Sequence, residues 1–343
     1  MKKLLFLLCL ISLYLPALAQ DSLPNALPLL QQKTRTAAQT QQVFDLFRYA
    51  KDDATTFAAA ASLIKLPPAK LYEPALLNII IRDDNPLKTA FASIILTAMG
   101  KDSPDFLSIL QGALQSPDPV LRAYAGTAHT IIKPDNKTYA PEVVLLYIYD
   151  PAFATRAMSL MAGNEKQEIA YLKQAAASEN ALTRASAARW LGALVNPAAA
   201  KQLLKMAKTE KESSVQTQLA MALANLREQT FTDVVKGLKT DYNSPVSATY
   251  ALALGFMTGH AVDALRVALT NQASRNIRIN ALRACAYMAG VLSNPDAFNY
   301  TSDRAFDAGL LKTLIPQIKA YANAGGEEAP YAQNALRQLE KLM

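Results

Sequence analysis

The chain has 343 residues, 51% of them apolar and 18% charged, with 12 Gly, 2 Cys and a formal net charge of +7. It holds 61 Ala and 49 Leu, and its first Gly is Gly100. So much apolar surface excludes a disordered chain, scarce Gly argues against hairpins and phosphate-binding loops, and two Cys exclude a disulfide scaffold. A large all-α protein remains.

Met1 to Ala19 reads as a signal peptide. Lys2 and Lys3 form a positive start, an apolar stretch runs from Leu4 to about Leu15, and Ala17-Leu18-Ala19 is a small-residue cleavage site. The stretch is shorter than the ~20 residues that span a bilayer. Cleavage after Ala19 leaves 33 Lys and Arg against 28 Asp and Glu, or +5, and Cys285 as the single thiol. Ala284 and Ala286 on either side mark that Cys as a small buried residue. The expected location is a bacterial periplasm or the exterior. No later apolar run reaches membrane length by this reading; Val143 to Tyr149 is too short.

Residues 20–53 form an expected N-terminal helical cap. From there a pattern recurs: an apolar anchor, often with a basic residue after it, then small or apolar residues at +4, +5, +7 and +8. The anchors are Leu87, Leu121, Phe153, Thr183, Val215, Val246 and Ile277, at successive spacings of 34, 32, 30, 32, 31 and 31. An earlier unit starts near Thr56. These offsets share one helix face, and small residues there admit a neighbouring helix. Gly100, Gly163, Gly192, Gly259 and Gly290 read as left-handed caps ending the first helices.

A second helix is predicted in each unit, over 71–82, 105–115, 141–149, 166–177, 197–209, 232–239, 261–271 and 306–323. Polar breaks with Pro, such as Asp118-Pro119 and Asn243-Ser244-Pro245, separate the units. A last helix from Ala329, in the segment 324–343, reads as the C-terminal cap.

The segments Asp118-Pro119-Val120-Leu121-Arg122 and Leu182-Thr183-Arg184-Ala185-Ser186-Ala187-Ala188-Arg189-Trp190-Leu191-Gly192 resemble the HEAT repeat. The nearest form is the short version also found in phycobilisome lyases, and the resemblance covers residues 54–323. Val215 and Val246 depart from it, being followed by Gln216 and Ser247 where a basic residue is usual, and the connection from Val291 to Arg304 is an insertion. The resemblance implies a right-handed α-solenoid of about 7–8 stacked antiparallel helix pairs, and stacking completes a core that one pair cannot bury.

Sites for chemistry are sparse. His129 and His260 are the two histidines, and no zinc-ligand spacing, Walker loop or dinucleotide fingerprint occurs. Ser62-Leu63-Ile64-Lys65 matches a nucleophile motif without its partner elements. Asp52-Asp53 and Asp83-Asp84 sit at helix boundaries, where Asp caps free N–H groups. The reading is therefore no enzyme, no cofactor and no metal.

Solenoids bind along a concave face, and the second helices are expected to line it. Residues 184–283 carry 13 basic and 6 acidic side chains. Lys201, Lys205 and Lys208 share one helix face, and with Lys236, Lys239 and Arg266 they would form a basic stripe. The plain alternative is a solvated lysine face. A stripe would draw an acidic protein segment, an anionic envelope polymer or a lipid headgroup; nucleic acid is not expected. Tyr139, Tyr147, Tyr149, Tyr171 and the insertion are further interface candidates. The function that follows is a non-enzymatic protein–protein scaffold or adaptor in the envelope; the alternative is a regulatory or accessory subunit of an envelope enzyme or secretion complex.

Overall fold

The computed structural model describes residues 23–298 and 303–342, and the expected signal peptide and part of the insertion, Tyr300 included, lie outside them. Among the described residues there are helices and turns and no strand. The chain falls into two compact units that meet at Tyr171 and Leu172.

In the first unit α1 (Leu23–Leu30) and α2 (Ala37–Tyr49) precede the helix pairs. The pairs are α3 (Asp53–Lys65) with α4 (Glu73–Arg82), α5 (Pro86–Ala98) with α6 (Leu107–Ala113), and α7 (Pro119–Ile132) with α8 (Ala140–Leu146). Then come α9 (Pro151–Ala162) and α10 (Glu165–Ala175), in which the division falls. The second unit holds α11 (Ala181–Ala193) with α12 (Pro197–Ala207), α13 (Ser213–Asn225) with α14 (Arg227–Gly237), and α15 (Pro245–Met257) with α16 (Val262–Leu269). It closes with α17 (Arg275–Ser293), α18 (Arg304–Lys312), α19 (Ile315–Ala324) and α20 (Ala329–Glu340).

The polar breaks become helix starts. Asn85, Asp118, Asp150 and Asn196 each accept a bond from an N–H of the first turn while Pro fills the next position, a place where Pro lacks no bond it could have made. The predicted 232–239 helix begins earlier, at Arg227. The predicted 306–323 helix breaks into α18 and α19 because Pro316 stands in the first turn of the second piece. The stretch Pro245–Leu269 is apolar and long enough to cross a membrane by composition, contrary to the sequence reading. It is folded as α15 and α16, with Thr258 between them at φ +50°.

Two of the five glycines act as expected: Gly100 (φ +89°) and Gly163 (φ +69°) end their helices in the left-handed region. Gly192 and Gly290 instead lie inside α11 and α17, and Gly259 lies in the turn after α15. Gly192 is there for closeness. A Cβ on it would stand 2.6 Å from both Cα and Cβ of Ala222 on α13.

In the second unit α11, α13, α15 and α17 pack directly on one another, as the small residues at the repeat offsets allow, and α20 takes the next place against α17. The second helices α12 and α14 meet more sparsely. The closely packed row in this unit is therefore that of the first helices, and the looser row that of the second helices.

The basic residue after the anchor proves to be a clamp on the loop between repeats. Arg184 donates from Nη1 to the carbonyls of Ser178 and Glu179, each at 2.9 Å, and from Nε and Nη2 to the Glu210 carboxylate at 2.8 and 3.1 Å. Arg278 does the same to Asn271 and Gln272 and to Glu328. Where the basic residue is missing, substitutes appear. Gln216 donates to the carbonyls of Glu210 (2.9 Å) and Pro245 (2.8 Å). Ser247 is reached by Arg283 of the next repeat, whose Nη1 also binds the Tyr242 carbonyl.

One polar group in the first unit is poorly served. Asp150 is 2% exposed; one carboxylate oxygen accepts from the Phe153 N–H at 3.2 Å and the other has no partner. Burial pushes its carboxyl above the usual range, only partly countered by the Phe153 N–H and by Lys65. A carboxyl that holds its proton more tightly when folded stabilises the fold below the ordinary carboxylate range and loses that contribution as pH rises through the folded value. Asp150→Asn keeps the capping oxygen without the charge. It should raise stability by about 1 kcal/mol at neutral pH and by nothing measurable in acid; an equal gain at both pH values in denaturant titrations would refute the assignment. Gly192→Ala, which must push α11 from backbone atoms of α13, should cost about 1–3 kcal/mol, and an unchanged denaturation midpoint would show that the two helices are not so close.

Candidate functional site

Helix α12 is amphipathic by construction. Ala199, Ala200, Leu203, Met206 and Ala207 are buried, which leaves Lys201, Lys205 and Lys208 exposed on the other side. On α14 Thr230 and Val234 are buried, with Leu238 buried just beyond, and Lys236 is exposed. Between these helices lies a groove of about 1020 Å³, lined by Lys173, Lys201, Lys205, Lys208 and Lys236 and by one acidic residue, Asp233, with Ala198, Leu204, Gly237 and Tyr250 supplying its apolar part. Tyr250 fits because α14 has Gly237 at that point: a Cβ there would stand 2.3 Å from the ring. Burial, and then the negative charge of Asp233, push the Tyr250 hydroxyl above its usual range, so it stays protonated at neutral pH.

The electrostatics are one-sided. Lys236 has Asp233 at 3.7 Å in an exposed pair, a contact that contributes little. Among the described residues Lys173, Lys201, Lys205 and Lys208 form no ion pair. Like charges gathered around one apolar floor repel each other and favour an anionic partner.

The structure thus brings together Lys201, Lys205, Lys208 and Lys236 of the six residues singled out in the sequence. Lys239 is exposed but does not line the groove. Arg266 is not available: its guanidinium pairs with Asp263 and donates to the Thr313 hydroxyl at 2.8 Å. Lys173 was missed. It precedes Lys205 by 32 residues and Lys236 by 63, so the repeat period itself carried the signal.

The other candidates are taken up by structure. The Ser62 hydroxyl donates to the Leu30 carbonyl at 2.9 Å, and Arg35 donates to the Ser62 and Leu66 carbonyls, tying α1 and its loop to the end of α3. Asp52 accepts from the Thr55 N–H at 2.7 Å and Asp83 from the Asn85 N–H at 2.9 Å. His129 is 7% exposed, with its ring centroid 4.7 Å from that of Tyr139. Burial, and next the Lys133 charge, lower its pKa, which favours the neutral ring.

Cys285 is fully buried in α17, and burial pushes its thiol up to about 12. A thiol held neutral and out of solvent does not react until the fold opens. Ellman's reagent should label it only as denaturant unfolds the chain, and stoichiometric labelling of the native protein within minutes would contradict its placement.

Residues 169–255, the stretch containing the lysine groove, match the family model described as HEAT repeats. No curated protein matches the chain. Among solved structures, the X-ray structure of the Escherichia coli protein YibA, a structural genomics target, is similar at 14% identity and a TM-score of 0.36, over 95% of this chain and 99% of that one. HEAT repeats generally serve as protein-interaction scaffolds and are typically non-catalytic. Residues 169–255 are thus similar to HEAT repeats, and the fold class is that of an all-α solenoid.

Proposed function

We propose that the chain is a non-enzymatic scaffold or adaptor of the bacterial envelope, which captures an acidic segment of another protein in the lysine groove between its second helices α12 and α14. The observation that carries the reading is the convergence of Lys173, Lys201, Lys205 and Lys208, none of them ion-paired among the described residues, on one apolar floor. Helices buried on one side fix the backbone positions of these lysines, so their flexible side chains radiate from a set array. The positive start, apolar stretch and small-residue site over 1–19 support export of the mature chain.

Lysine rather than arginine suits a particular kind of grip. An ammonium group is a point charge without the flat two-pronged fit of guanidinium to carboxylate. Such a groove attracts an acidic segment over its length and tolerates variation in sequence. Binding of this sort weakens steeply with salt.

The triple change Lys201→Glu, Lys205→Glu, Lys208→Glu reverses the field without touching a buried residue. A fluorescein-labelled acidic peptide, titrated against the purified mature protein, should lose roughly tenfold or more in affinity, about 1.4 kcal/mol, while the thermal midpoint stays put. A partner recovered with the wild-type chain from envelope extract should be lost with the variant. Equal capture by both proteins, or peptide binding insensitive to salt, would overturn the acidic-segment reading.

A further inference from the structure

The lysines of the groove are not scattered among the second helices. Lys173 in α10, Lys205 in α12 and Lys236 in α14 follow one another at 32 and 31 residues, the period of the repeat, and each stands in the last turn of its helix. Lys173 lies just past the division of the chain, so all three belong to the second unit. The last turn of a helix favours a positive side chain by itself, so a single such lysine needs no partner to explain it. Three at equivalent positions, all bordering one space, form a row that crosses the helices.

The next position of the row is apolar. In the last turn of α16, 31 residues after Lys236, stands Val267, which is 71% exposed. Helix α16 buries Val262, Leu265, Ala268 and Leu269, so Val267 is no part of its core face. Lys201 and Lys208 extend the charge in the other direction. At the rise of an α-helix they lie about 6 Å before Lys205 and about 4.5 Å beyond it along α12. Two courses are thus open to an acidic segment: along α12 past three lysines, or across the helices past three others. The crossing course alone draws on several helices at one repeated position, and it alone continues onto an exposed apolar residue.

We propose, resting on the acidic-segment reading above, that the segment lies extended across α10, α12, α14 and α16. Its carboxylates meet Lys173, Lys205 and Lys236 in turn, and an apolar side chain is seated on Val267. Packed helix axes lie about 8–10 Å apart and an extended chain rises about 3.3 Å per residue, so about every third residue of the segment comes opposite a helix. Long lysine stems take up the wider gaps where the second helices meet sparsely. Asp233, 3.7 Å from Lys236 in an exposed pair, is displaced by an incoming carboxylate at little cost. The valine fixes the register: a purely acidic ladder could slide by one helix, whereas one with an apolar end cannot.

The test uses three fluorescein-labelled peptides of one composition, titrated by polarisation against the purified mature chain. One carries acidic residues at every third position with Leu next in the series, one is its reverse, and one has its acidic residues contiguous. The better of the two spaced peptides should bind roughly tenfold tighter than the contiguous one. Lys173→Gln with Lys236→Gln should weaken it more than Lys201→Gln with Lys208→Gln, which remove the same charge. Val267→Ser should weaken it several-fold, yet leave unchanged the binding of a peptide with Ser in place of that Leu. All five positions are exposed, so the thermal midpoint should stay put. Salt-sensitive binding with equal affinity for spaced and contiguous peptides would overturn the crossing course and leave the acidic-segment reading standing. A larger loss from the Lys201 and Lys208 changes, or none from Val267→Ser, would do the same. No binding by any of the three peptides would overturn both.

Discussion

The close approach of successive first helices is the constraint from which most of the second unit follows. Gly192 against Ala222, with no room for a single methyl group, sets the distance between α11 and α13. Gly255 does the same between α15 and α17, where a Cβ would come within 2.7 Å of the Tyr287 Cβ. Interiors are packed too densely to absorb such a clash. The residues that permit this approach also bury α17 down to Cys285, which is why its thiol is inert.

The second helices meet more sparsely than the first. Helices α12 and α14 are attached to the tight row through Leu203 and Val234, and the space left between their outer parts is the lysine groove. Its floor is apolar where Ala198, Leu204 and Tyr250 line it. Its rim is basic because long charged side chains can lay their stems on apolar surface while the ammonium groups stay in water. The polar clamps keep the loops from following the splay. Arg184 ties two carbonyls of the loop before α11 to Glu210 in the next loop. Burial works against the Glu210 charge, but Arg184 and the N–H groups of Glu212 and Lys211 outweigh it and hold that carboxyl below its usual range.

The repeat was legible in the sequence because its cause is local: an apolar face recurring at a fixed offset from an anchor. The register of the first helices, the helix start after the Asp118-Pro119 break and the burial of Cys285 follow from that pattern and its immediate neighbours. How closely each row of helices packs was not legible, since a periodic apolar face is the same whether the neighbour sits near or far. Gly192 looked like a helix end for a related reason. Nothing in a single sequence distinguishes a glycine needed for a left-handed turn from one needed for closeness. Of the lysines, Lys173 was readable by the repeat period, whereas Arg266 could be removed from the stripe only by seeing Asp263 and Thr313 beside it.

The departures from the repeat pattern are the most instructive residues in the chain. A missing arginine after Val215 and Val246 suggests two weak joints when only the motif is considered. The carbonyls that the arginine would have served still have to be satisfied, because unpaired buried backbone groups are costly. Gln216 meets the need by spanning from Glu210 to Pro245, and Arg283 meets it from the opposite side through Ser247. Reaching back in this way places Arg283 of α17 against the loop before α15, where it joins the Ser247 hydroxyl and the Tyr242 carbonyl. That joint is thus held from the following repeat and not by the residue after its own anchor.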